Sequence, residues 1–141
     1  MDHRMYKPYE LFIALKNTLE DAKIEEGDGI CVSGYLREPT RLVLMWLEDN
    51  GNLLSLEMDW PEAPPIPMTE DVLFALQLLR GFRMHGRFHY NAEEQAIWYN
   101  AELRGGGTLQ LMDEILMETQ HIGQGLLDRF LGKNELPESS S

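Results

Sequence analysis

Two arginines and two histidines alternate along one stretch of the chain: Arg83, His85, Arg87 and His89. Imidazoles are common metal ligands, so the spacing decides what they can do. On a helix His85 and His89 would share one face and could hold a zinc ion together. Here Phe82, Met84, Phe88 and Tyr90, with Gly86 among them, fill the alternate positions, and that period of two marks a strand. Four residues of strand place the two Cα atoms roughly 13 Å apart. A shared metal ion is therefore excluded. What remains is a basic strip. It is either a solvated sheet face paired with acids such as Glu102, or a docking strip for an acidic segment or a second subunit, a contact that its histidines would make weaken or strengthen at about pH 6.

Other reactive residues lead to no chemistry. Cys31 has no signature around it, and strand cysteines are usually inert. Ser33 and Ser55 lack a Gly-x-Ser-x-Gly setting. Among 24 acidic residues, paired carboxylates arise by chance. Gly105-Gly106-Gly107 precedes Thr108, and a helix N-terminus there could take an anion. The Gly-Lys-Ser/Thr of a phosphate loop is absent, so a tight strand-to-helix link is the reading. No enzyme activity, metal or cofactor is expected.

A chain of 141 residues with 43% hydrophobic content can bury a core. The expectation is a single domain over residues 1–131 and a disordered C-terminal tail over 132–141. The formal charge is −12. Such a field repels nucleic acid and anionic membranes and favours basic or amphipathic partners. No apolar run approaches the ~18 residues of a membrane span. Met1 to Met5 shows no signal-peptide pattern, and Cys31 is the only cysteine. A cytoplasmic location is expected.

The elements follow from periodicity. Leu11, Phe12, Leu15, Leu19 and Ala22 predict a first helix from Pro8 to Lys23, then an acidic turn, Glu25 to Gly29. Strands are predicted at Ile30–Leu36, Arg41–Leu47 and Leu53–Trp60, the last two joined at Asp49-Asn50-Gly51-Asn52. Pro61, Pro64, Pro65 and Pro67 form a stiff connector. Thr69 caps a second helix running to Arg80, which Gly81 can close in a left-handed conformation. A hairpin follows, Phe82–Asn91 with Ala96–Leu103. Thr108 caps the last helix, which reaches about Leu131, with a bend or break expected at Gly123 and Gly125. The predicted fold is α+β, an antiparallel five-stranded sheet with helices packed on it, in the order α-β-β-β-α-β-β-α.

Two places carry more apolar surface than one core needs. The second helix is apolar almost all round, through Val72, Leu73, Phe74, Ala75, Leu76, Leu78 and Leu79, and so needs cover on every side. One side can be the chain's own sheet and the other a second copy. On the second strand Leu42, Leu44 and Trp46 point one way, while Val43, Met45 and Leu47 point the other. With Trp98, these three form a partner site if the helices pack on one face, and ordinary core if they do not.

The order of elements, the low pI and the run Leu78-Leu79-Arg80 followed by a strand, the turn Asn91-Ala92-Glu93-Glu94, a second strand and an amphipathic last helix resemble the type III secretion chaperone fold. They resemble equally its YbjN-like relatives outside secretion systems. The resemblance spans roughly Tyr9 to Leu131. In place of the Leu-Pro-Leu-like segment of the secretion members stands Arg104-Gly105-Gly106-Gly107-Thr108. The resemblance implies a non-catalytic homodimer that binds without ATP. The second helix, with Val72, Leu73, Leu76 and Leu79, would form the dimer interface. Val43, Met45 and Leu47, with Trp98 and parts of the first helix, would hold an extended segment of a secreted effector or other protein client. The alternatives are a YbjN-like regulatory or scaffold protein without an exported client, and a small-ligand-binding or enzymatic α+β domain.

Overall fold

The computed structural model describes residues 4–26, 30–37, 39–47, 53–81 and 85–131. Helix α1 spans Pro8–Lys16 and buries Leu11, Phe12 and Leu15. It stops well short of Lys23. Thr18 Oγ1 donates to the Leu15 carbonyl at 2.7 Å, and such local bonding competes with the helix ladder. Asp21, second residue of the strand that follows, takes φ 53° where the pairing of that strand shifts register, a left-handed conformation that Asp tolerates better than most residues. The chain leaves as strand β1, Glu20–Glu26. The predicted helix Pro8 to Lys23 is thus corrected to a short helix and an edge strand. Glu25 and Glu26 belong to that strand, not to a turn, and Gly27 to Gly29 lie outside the described residues.

Strands β2 (Ile30–Arg37), β3 (Thr40–Leu47), β4 (Leu53–Asp59), β5 (Arg87–Asn91) and β6 (Ala96–Arg104) complete the sheet. Its order is β1-β2-β3-β4-β6-β5, and every neighbouring pair is antiparallel. The α+β class with an antiparallel sheet is as expected. Among the described residues six strands replace the expected five, and the element order becomes α-β-β-β-β-α-β-β-α. The Asp49 to Asn52 turn lies outside the described residues, as do Phe82 to Met84 and the tail from Gly132. His85 and Gly86 precede β5 rather than forming part of it.

The proline-rich crossing is latched down. Ile66 is buried, its N–H donates to the Gln95 carbonyl at 2.7 Å, and Tyr90 Oη donates to the Ile66 carbonyl at 2.7 Å. Helix α2 (Glu70–Arg80) starts at the predicted cap, where Thr69 Oγ1 accepts from the Val72 N–H at 3.2 Å. Gly81 does not close it in a left-handed conformation: its φ is −80°. The Gly81 N–H bonds the Leu78 carbonyl at 3.0 Å, so the last turn tightens and needs no positive φ.

Helix α3 (Leu109–Phe130) is capped by Thr108 Oγ1, which accepts from the Leu111 N–H at 3.0 Å. It runs unbroken through Gly123 and Gly125, so the expected break is absent. The preceding glycine run has a structural use. Gly106 takes φ 90°, and a Cβ on it would overlap the Tyr6 carbonyl oxygen. Gly107 exchanges backbone hydrogen bonds of 2.8 and 3.0 Å with Tyr6, so the run pins the segment before α1.

One apolar cluster joins all three helices to one face of the sheet. Phe12 of α1, Val72 and Leu76 of α2, and Met112 and Ile115 of α3 share it with Leu44, Leu56, Met58 and Tyr99. Inside it Trp60 Nε1 donates to Thr40 Oγ1 at 2.9 Å, which satisfies a buried polar pair. No described helix is long and apolar enough to cross a membrane.

Candidate interaction surface

Alternation along each strand sends the remaining side chains to the opposite face. Among the described residues no helix packs there. The registers arrange this outer face in rows across the strands. Cys31, Met45, Ser55 and Glu102 form one. Ser33, Val43, Glu57, Asn100 and Arg87 form the next, and Tyr35, Arg41, Asp59, Trp98 and His89 a third. Val43, Met45 and Leu47 all remain partly exposed on β3. The structure therefore brings these three predicted residues together. Trp98 shares their face but stands two strands away, with Asp59 between it and Arg41.

The third row is a polar and aromatic end of the face. Arg41 Nε and Nη2 donate to the two Asp59 carboxylate oxygens at 2.8 and 2.6 Å, a two-pronged, charge-assisted pair. His89 stacks on Trp98 with ring centroids 4.5 Å apart and 29° between planes. Desolvation lowers the His89 pKa, and the positive charges of Arg80 and Arg87 lower it further. Glu57 is exposed on one side, yet desolvation by the surrounding sheet and then the Asp59 charge raise its pKa, with Arg41 acting the other way. An open depression of about 490 Å³ lies here, lined by Arg41, Glu57, Asp59, Pro61, Glu94 and Trp98 among others.

The basic strip is only partly assembled. Arg87 and His89 stand on β5, His85 precedes it, and Arg83 lies outside the described residues. His89 is committed to the Trp98 ring. Among the described residues no three His, Cys, Asp or Glu side chains are grouped to hold a metal ion.

A second surface lies on α2, which packs next to β5 at one edge of the sheet. Val72 and Leu76 are buried in the chain's own core, and Leu79 packs partly against it. Of the four residues expected to meet a second copy, only Leu73 is exposed. It is joined by Phe74 and Leu78, with exposures of 47%, 58% and 52% respectively. The spacing could have shown this, since Val72, Leu76 and Leu79 are the i, i+4, i+7 stripe that a helix turns inward.

Two features on the helix side were not anticipated. The Tyr9 and Trp46 rings meet at 4.8 Å. Trp46 Nε1 is buried without a hydrogen-bond partner among the described residues. On the same face Ile30 of β2, paired with Trp46, and Ile24 of β1 are exposed. Comparisons of the chain with protein-family models, with curated proteins and with solved structures give no match.

Proposed function

We propose that this protein is a non-catalytic, homodimeric chaperone that holds an extended segment of a protein client, such as a secreted effector, on the helix-free face of its sheet. One observation carries the reading: Val43, Met45 and Leu47 stay partly exposed on a central strand, on a face that no described helix covers. Apolar side chains grouped on an open face favour a partner, and methionine adapts to varied side chains. A sheet face suits an extended ligand, whose alternate side chains fall at the strand spacing. The exposed Leu73, Phe74 and Leu78 supply a matching face for the second copy. The −12 charge favours a client segment with basic residues.

The test is a selection of random-sequence peptides on the wild-type protein, then titration of a selected peptide against the Met45→Ser/Leu47→Ser double variant. Binding should fall at least ten-fold, on the order of 1.4 kcal/mol, with the fold intact. Equal affinity for both proteins would remove this face as the client site.

A further inference from the structure

We propose that the depression between Trp98 and Glu57 is an anchor for one basic side chain of the client, above all an arginine guanidinium. The inference rests on the client face just described and names what the polar end of that face takes.

The register sets Asp59 opposite Arg41 on one side and Trp98 on the other. Both Asp59 oxygens are engaged by Arg41. The lining thus holds three carboxylates, Asp59, Glu57 and Glu94, against the one guanidinium of Arg41. Desolvation and the Asp59 charge raise the Glu57 pKa against the opposing pull of Arg41, so its carboxylate stands in surroundings that disfavour negative charge. An incoming cation relieves that condition, and an anion worsens it. The indole supplies the second element. His89 stacks on one face of the ring, and the ring also lines the depression, where its negative π surface attracts cations and a guanidinium can stack.

The position relative to the apolar block fits an extended client. Val43 lies directly opposite Glu57 on the neighbouring strand, a cross-strand separation of about 5 Å. A peptide crossing this face can seat an apolar residue at Val43 while a nearby basic residue enters the depression. The site therefore selects sequences in which apolar and basic residues are interspersed.

The experiment titrates the isotopically labelled protein with N-acetyl-arginine methylamide and with its neutral isostere, N-acetyl-citrulline methylamide, reading the Trp98 indole N–H by NMR. The arginine probe should give a saturable Trp98 shift and the citrulline probe none. Glu57→Gln should weaken arginine binding about five-fold, the scale of one exposed charge pair. Glu94→Gln, in the β5–β6 turn and away from the core, should weaken it too. Equal response to both probes, no saturable response, or unchanged affinity in both variants would overturn the proposal. Such a failure would leave the client face standing, because that face is tested separately at Met45 and Leu47.

Discussion

The ring of Trp60 occupies the space that a side chain at position 123 would need, and Gly123 is what allows α3 to approach it. Gly125, two residues on, faces open space. Both glycines sit inside a helix, where alanine is favoured by about 1 kcal/mol. Gly125→Ala should therefore stabilise the protein by ~0.5–1 kcal/mol. Gly123→Ala should destabilise it by about 1–3 kcal/mol, because overpacking outweighs propensity. Urea midpoints of the two variants check this. A gain at both positions would contradict the packing.

Thr40→Val should leave the buried Trp60 indole N–H without its acceptor. The expected cost is about 1–3 kcal/mol. Because valine matches threonine in shape, a neutral result in denaturant unfolding would mean that water replaces the hydroxyl.

These contacts bear on what the sequence could reveal. The starts of α2 and α3 were legible because Thr69 and Thr108 are local caps, each bonding its own first turn. Alternation likewise identified β4 and β6, whose Leu54, Leu56, Met58, Tyr99 and Ala101 are buried. The start of β1 was not legible. Leu19 and Ala22 continue the helical spacing, and only the Thr18 back-bond and the Asp21 backbone break it. Gly123 was misread for a related reason: its partner Trp60 is remote in sequence. The Arg41–Asp59 pair depends on the β3–β4 register. A two-residue Asn50-Gly51 turn would set Arg41 opposite Trp60, whereas the observed pairing sets it opposite Asp59. Within the candidate site, alternation placed Val43, Met45 and Leu47 on one face. The distance of Trp98 from them required the strand order.

Glu57 and His89 should give the stability profile opposite slopes. Glu57's pKa is raised from 4.5 in the fold, so the folded protein holds that proton longer. Its contribution weakens stability as pH rises from 4.5 through the raised value. Glu57→Gln should raise the thermal midpoint at neutral pH, and the gain should vanish below 4.5. His89's pKa is lowered from 6.5, so the unfolded chain takes up that proton first. Its contribution is full above 6.5 and is lost as pH falls through the lowered value. His89→Phe keeps a ring on Trp98 and should flatten that part of the profile. Thermal midpoints across the acidic range would show it, and unchanged slopes in both variants would refute the assignment.

The outward and inward faces of α2 should respond differently to charge. Phe74→Asp or Leu78→Asp, both on the exposed face, should yield folded monomers. Leu76→Asp places a charge in the core and should unfold the chain, since a buried unpaired charge costs several kcal/mol. Circular dichroism and sizing of the three variants separate these outcomes. A Phe74→Asp/Leu78→Asp protein that remains a dimer would exclude this face as the interface.

The central claim is a homodimer that presents its open sheet face to a client. Static light scattering on the wild-type protein tests it most directly. The account predicts a particle of twice the 16.3 kDa chain mass across a dilution series. A mass of one chain at every concentration would contradict it, and the exposed apolar face of α2 would then need another explanation.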